Sequence, residues 1–178
     1  IHSHGQGMET TLAQIACQEL GLTLDDVVVR YGDTAVSPYG NGTFASRSIV
    51  MAGGASANAC RTLAGRIKHI GAHLLQCDPA DVELRDNSVF GGGASVSIAE
   101  ISRTAHVRQD LLPDGTNPTL EETAIYEPEV TSGVFSYSTH AAVVLVDPET
   151  GEVDIENYAI AEDCGTVVNP MIVDGQIC

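Results

Sequence analysis

Three Gly-bearing segments hold the residue types in this chain best suited to binding a ligand. They are His4-Gly5-Gln6-Gly7-Met8-Glu9-Thr10, Tyr39-Gly40-Asn41-Gly42-Thr43-Phe44-Ala45-Ser46-Arg47-Ser48, and Asp163-Cys164-Gly165-Thr166-Val167-Val168-Asn169-Pro170. Each runs into what reads as the start of a helix. A helix start presents backbone N–H groups without intrahelical partners, together with the positive end of the helix dipole, so it suits a phosphate or a polarised carbonyl. Gly lets a ligand come close to the main chain. Gln6 can both donate and accept, as recognition of a heterocycle or an oxo group requires. Asn169 fits an N-cap and Pro170 the first helical turn. Taken singly, each segment also reads as an ordinary polar turn before a structural helix. Together they predict a large anionic ligand held by main chain and short polar side chains.

The charge balance narrows the partners. The chain has 178 residues with 8 Lys+Arg against 24 Asp+Glu, a formal net charge of -16. A nucleic-acid or anionic-membrane binder needs a basic patch, and no Lys/Arg cluster exists here, so neither partner is expected. A small anion remains compatible, because backbone amides supply positive potential without formal charge. Arg47 is the only Lys or Arg inside the three segments.

These segments need elements to hold them. Met8, Leu12, Ile15 and Ala16 lie at helical spacing and Gly21 stops the pattern, which predicts a helix over 8–20. Val27-Val28-Val29 reads as a strand. From Ser46 to about Leu75, Ile49, Ala52, Gly53, Cys60, Leu63, Ile67, Ile70 and Leu74 mark one face of a long buried helix. Gly53-Gly54-Ala55-Ser56-Ala57 within it costs helix propensity and predicts that another backbone packs closely there. Val82-Glu83-Leu84 and Ser88-Val89-Phe90 predict a hairpin turning at Asp86-Asn87, and Gly91-Gly92-Gly93 a flexible connector. Ser97, with Glu100, predicts a capped helix over 98–104. Leu111 to Leu120 reads as a surface loop. Ala141–Val146 and Glu152–Ile160 predict a second hairpin around Asp147-Pro148-Glu149-Thr150-Gly151, with a bulge at Glu156-Asn157 where the alternation shifts. The third Gly-bearing segment then follows a strand end, the place where open α/β sheets bind ligands. The expected fold class is α+β (mixed α/β), a long buried helix packed on short mixed or antiparallel sheets, in one body or in two lobes, about 1–135 and 136–178.

Other chemistries fit less well. The glycines do not match G-x-G-x-x-G and no G-K-[ST] is present, which excludes Rossmann dinucleotide and P-loop readings. His69 and His73 are four apart on a helix but lack a third ligand, so no metal site is expected. No Ser/His/Asp or Cys/His signature is present, and Asp25-Asp26 and Glu121-Glu122 read as caps or a solvated face. The cysteines Cys17, Cys60, Cys77, Cys164 and Cys178 are odd in number, without a C-x-x-C pair, which suggests reduced thiols in a cytoplasmic protein. Cys17, Cys60 and Cys77 fall in helical patterns as small core residues. No apolar run approaches the ~20 residues that span a membrane, so no membrane insertion is expected. The chain does not begin with Met and both ends lie in motif-like sequence, which suggests a piece of a longer polypeptide.

In order and combination the three segments resemble a known family. Gly5-Gln6-Gly7-Met8-Glu9-Thr10-Thr11 with Gln14-Ile15 is similar to the G-Q-G-x-x-T helix start of molybdenum hydroxylase large subunits. Gly32-Asp33-Thr34 with Pro38-Tyr39-Gly40-x-Gly42-Thr43-x-Ala45-Ser46-Arg47-Ser48 resembles the next block. Asp163-Cys164-Gly165-Thr166-x-x-Asn169-Pro170, ending in Gly175-Gln176, resembles a third. The family is the xanthine dehydrogenase/aldehyde oxidase superfamily, in the style of the bacterial carbon-monoxide-dehydrogenase-like large subunit, and the resemblance covers essentially the whole chain.

The resemblance implies a molybdopterin cofactor, in the cytosine dinucleotide form. It carries over as cofactor contacts Gln6, Gly7, Met8, Glu9 and Thr10, then Thr43, Phe44, Ala45, Ser46, Arg47 and Ser48, then Asp163, Cys164, Thr166, Asn169 and Gln176. It implies an oxidoreductase that hydroxylates an aldehyde, an N-heterocycle or carbon monoxide with water as oxygen source. Electrons would pass to FAD-binding and 2Fe-2S subunits or domains, with a homodimer of the heteromeric unit. The family's catalytic Glu, in a G-E-P-type motif, would lie downstream, and the upstream Gln and substrate loop are absent too, so no catalytic residue is assigned in this chain. The chain alone is expected to be inactive. A competing expectation is a non-catalytic interaction or scaffold module that keeps the fold without the cofactor.

Overall fold

The computed structural model describes residues 1–130 and 135–178. The chain divides into two units, Ile1–Glu129 and Val130–Cys178.

In the first unit the helical spacing after Gly7 forms α1 (Met8–Leu20), closed by Gly21 in the left-handed region at φ 63°. Gly is required there for a second reason: a Cβ would lie 2.6 Å from the Arg85 Cα, against backbone that cannot yield. Leu24–Asp26 forms a 3-10 turn with a capping box from Thr23 and Asp26. The expected strand at Val27-Val28-Val29 is not formed; Val27 is extended, but no described strand pairs with this run, and Val28 is exposed. A β-branched run without a partner for its ladder stays irregular.

The long helix begins later than the sequence suggests. Ala45 and Ser46 are both left-handed, at φ 53° and 51°, which rules them out as helical residues. A π-helical turn, Ile49–Gly53, then leads into α2 (Gly54–Leu75). Gly53 and Gly54 do accept close neighbours, but these are side chains rather than a backbone. A Cβ on Gly53 would meet Ile15 and Ile49, and one on Gly54 would fall on the Tyr126 ring.

Next come β1 (Glu83–Arg85), β2 (Ser88–Gly91) and β3 (Ala94–Ser97), an antiparallel sheet in the order β1-β2-β3. Asp86 and Asn87 turn the first hairpin with positive φ at both positions, the type I′ pattern. The Gly-rich run is not a flexible connector. Gly91 ends β2, while Gly92 and Gly93, at φ 58° and 79°, form a second tight turn into β3. Ala-Ser-Val-Ser carries too little apolar or β-branched character to announce that strand. Ser97 then caps α3 (Ile98–Val107) by accepting from the Glu100 N–H at 3.1 Å, the local grammar read from the sequence. The core joins Ile67, Ile70 and Ala72 of α2 to Val89 and Val96 of the sheet, Ile101 and Ala105 of α3, and Leu20 of α1.

A strap returns along α2. Arg66 Nη2 pairs with Glu122 at 2.8 Å and its Nη1 donates to the Thr119 carbonyl, while Asn58 donates to the Ile125 carbonyl at 3.3 Å.

The second unit is a long hairpin, β4 (Tyr137–Val146) and β5 (Val153–Asp163), followed by α4 (Pro170–Ile177). Its turn is organised by Asp147 Oδ1, which accepts from Glu149 and Thr150 N–H at 2.8 and 3.2 Å. Val143 pairs with Asn157 and Val144 with Ile155, leaving Glu156 as the extra residue of a bulge. The bulge has a clear effect on phase. It places Ile155 and Val153 on the face shared by Tyr158 and Ile160; unbroken alternation would put Glu156 and Asp154 there.

Candidate functional site

The first unit brings two of the three segments together. Gly5 and Gly7 are left-handed, at φ 88° and 77°, and Gly7 is the N-cap of α1. The first bond of the helix runs from the Thr11 N–H to the Gly7 carbonyl at 3.1 Å, and no side chain caps the start. The N–H groups of Met8, Glu9 and Thr10 therefore lack intrahelical acceptors. Met8 is buried and anchors this turn, whereas Glu9 and Thr10 are exposed. Gln6 folds back so that its Oε1 accepts from the His4 N–H at 2.5 Å. Glu9 accepts from the Tyr31 hydroxyl, and this hydrogen bond is the main cause that raises the Tyr31 pKa.

The second segment lies against the first. The Thr43 hydroxyl accepts from the His2 N–H and donates to the His2 carbonyl, both at 2.7 Å. The His2 ring packs edge-on against Tyr31 at 5.2 Å between centroids, and Gly32 passes close to it. Within the loop, Arg47 donates to the Gly42 carbonyl at 3.0 Å, and its guanidinium lies 5.0 Å from the centre of the Phe44 ring. The loop's one cation thus also braces its turn. Phe44, Ala45 and Ser46 are exposed and Ser48 half-buried. As at α1, no side chain caps the helical start after Ser48. Gly5 and Gly42 both face open space where a Cβ would stand.

The third segment belongs to the second unit. Asp163 ends β5 and its Oδ1 accepts from the Gly165 N–H at 2.9 Å, with Gly165 at φ 76°. Cys164 and Thr166 are exposed. Asn169 is the N-cap of α4, accepting from the Ile172 N–H at 3.1 Å, and Pro170 occupies the first turn. This start is capped by its own side chain, unlike the other two. Gln176 lies exposed near the end of α4. The third segment does not follow a strand end of an open parallel α/β sheet, as its sequence suggests, because β5 belongs to a two-stranded antiparallel hairpin.

The remaining candidates stay apart. His69 and His73 are exposed on α2, and among the described residues no group of three His, Cys, Asp or Glu side chains is placed to hold a metal ion. Cys60 and Cys77 pack against the core and Cys17 is half-buried; burial pushes the thiols of Cys17 and Cys60 up. Among the described residues, no helix is long and apolar enough to cross a membrane. Two features of the site escaped sequence reasoning, the Tyr31–Glu9 hydrogen bond and the Thr43–His2 pair. Both join residues far apart in the chain, so no local pattern announces them.

The donor set and open glycines of the first unit suit a ligand with phosphate oxygens and a hydrogen-bonding heterocycle. Comparison with known proteins agrees. All of residues 1–178 match the family model for a molybdopterin cofactor-binding domain. The chain is 37% identical over 180 residues to the nicotine 6-hydroxylase large subunit of Paenarthrobacter nicotinovorans, matching 99% of this chain and 22% of that protein. It is 33% identical over 175 residues to the carbon monoxide dehydrogenase large chain of Afipia carboxidovorans, matching 98% of this chain and 21% of that protein. The fold superposes on the crystal structure of quinoline 2-oxidoreductase from Pseudomonas putida 86 with a TM-score of 0.87 at 37% identity, covering 99% of this chain and 22% of that one. The chain thus spans about a fifth of the length of these relatives. With its whole length matched and its α+β fold shared, this chain belongs to the molybdopterin cofactor-binding domain family of molybdenum hydroxylase large subunits.

Proposed function

We propose that the chain forms part of the molybdopterin site of an oxidoreductase that hydroxylates an aldehyde, an N-heterocycle or carbon monoxide. The observation that best supports this reading is the pair of uncapped helical starts at Gly7 and Ser48, joined by Thr43 and His2 in one unit. Two helical starts without side-chain caps, on segments linked by the Thr43–His2 pair, favour a ligand with more than one acceptor. The cofactor, as molybdopterin cytosine dinucleotide, would supply two-electron oxidation with water as the oxygen source.

In this reading the chain binds and orients. The backbone N–H groups of Met8, Glu9 and Thr10 donate at the α1 start, and Gln6 offers its amide to the heterocycle. Gly7 keeps the approach open. In the loop Thr43, Phe44, Ala45, Ser46, Arg47 and Ser48, the hydroxyls of Ser46 and Ser48 and the single positive charge of Arg47 suit diphosphate oxygens. Asp163, Cys164, Thr166, Asn169 and Gln176 are proposed as further contacts. FAD-binding and 2Fe-2S subunits or domains would accept the electrons, in a cytoplasmic, homodimeric assembly.

The test uses the complete large subunit. Gly7→Val places a β-branched residue at φ 77°, where it is strained, and Ser46→Leu puts bulk where a hydroxyl would face the ligand. Both variants should show lower molybdenum and pterin content with an unchanged circular dichroism spectrum. Wild-type content in both would refute the proposal.

A further inference from the structure

We infer that Thr43 is a positioning residue: it fixes the Gly5–Gly7 segment against the Gly42–Ser48 loop by acting on His2, rather than by touching the ligand. This inference deepens the molybdopterin reading above and rests on it.

A threonine hydroxyl has one proton to donate and two lone pairs that accept. In Thr43 the proton goes to the His2 carbonyl and one lone pair takes the His2 N–H, both at 2.7 Å across 41 positions of sequence. The donor a phosphate oxygen would need is already spent. The side chain instead serves both main-chain groups of one residue, as a neighbouring strand would. His2 is held on its other side by Tyr31, whose ring lies 5.2 Å away and whose hydroxyl donates to Glu9 at the start of α1. One path of contacts therefore runs from the loop through Thr43, His2 and Tyr31 to the first turn of α1. The loop also closes on itself through Arg47 and the Gly42 carbonyl at 3.0 Å. Two glycine-bearing segments with left-handed residues cost backbone entropy to hold still. The Thr43–His2 pair meets that cost before any ligand arrives, which is how preorganisation raises affinity.

The experiment compares Thr43→Val and Thr43→Ser in the complete large subunit, with and without cofactor. Val keeps the shape and removes both hydrogen bonds, whereas Ser keeps the hydroxyl. Hydrogen exchange in the cofactor-free protein should become roughly tenfold faster over residues 2–7 and 42–47 in Thr43→Val. Exchange in the helix over 98–107 should stay at the wild-type rate. Molybdenum and pterin content should fall in Thr43→Val and return in Thr43→Ser. If Thr43→Val also loosens 98–107, Thr43→Cys, a weaker donor of similar size, replaces it, with the same changes expected at smaller amplitude. Unchanged cofactor-free exchange alongside lost occupancy would make Thr43 a direct contact and overturn the inference. So would failure of Thr43→Ser to restore occupancy. The exchange result stands without any ligand, so it fails separately from the molybdopterin reading, which falls if the wild-type subunit binds no pterin.

Discussion

Gly71 and Gly65 lie on the same helix, and the same substitution should move stability in opposite directions. An Ala Cβ at position 71 would stand 2.8 Å from Val89 Cβ and Cγ1 and 2.9 Å from Cγ2. Apolar carbons pack best at about 3.5–4.0 Å, so three atoms overlap by roughly 0.7 Å. Val89 has no escape: it is 0% exposed and sits among Ile70 and Ile101, which are also fully buried. Overpacking of this kind costs about 1–3 kcal/mol. The gain from replacing a mid-helix Gly with Ala offsets about 1 kcal/mol. With three overlapping atoms the cost lies in the upper part of that range, about 2–3 kcal/mol, so a net loss of about 1–2 kcal/mol is expected for Gly71→Ala. At Gly65 an added Cβ meets nothing within 4 Å, so only the propensity gain of about 0.5–1 kcal/mol remains. Urea denaturation of the chain, followed by circular dichroism, should show the two midpoints shifting in opposite directions at constant slope. Val89→Ala removes two of the three overlapping atoms, so adding Gly71→Ala to it should cost at least about 1 kcal/mol less than in the wild type. Midpoints that move the same way, or additive effects of Gly71→Ala and Val89→Ala, would show that the helix does not pack on β2 at this distance.

Further outcomes follow from the site and its supports. The 178-residue chain expressed alone should lack hydroxylase activity and stably bound cofactor, because a large cofactor needs enclosure from several sides. Stoichiometric molybdenum in the purified chain, or substrate oxidation with an artificial electron acceptor, would contradict this. Hydrogen bonds from the Thr23 hydroxyl, then Asn87 and the Thr23 N–H, hold the Asp26 carboxyl below its ordinary pKa. A depressed carboxyl contributes stability that is present above about pH 4 and is lost as pH falls through its lower folded value. Asp26→Asn should therefore flatten the acid limb of the stability–pH curve below about pH 4, and an unchanged limb would rule out this contribution.

Much of the fold was legible because its signals are local. The spacing of Met8, Leu12 and Ile15 sets α1, and Ser97 with Glu100 starts α3 as written. The change of alternation in β5 gives the bulge at Glu156, since side chains on a strand alternate with a fixed period. Asn169-Pro170 gives the start of α4 for a similar reason: a cap needs only its own next turn. The order of the three Gly-bearing segments was enough to point to the family. Tertiary structure decided what depends on partners distant in sequence. Val27–Val29 has the composition of a strand and remains irregular because no described strand pairs with it. Ala94–Ser97 has weak strand character and becomes β3 because β2 offers it a ladder. Ala45 and Ser46 leave the helical region in a turn that Arg47 braces from Gly42. The proton of Thr43 goes to His2 rather than outward because the fold brings residues 41 positions apart to within 2.7 Å. A sequence states which groups can donate and accept, and only the folded chain decides which of them are already engaged with one another.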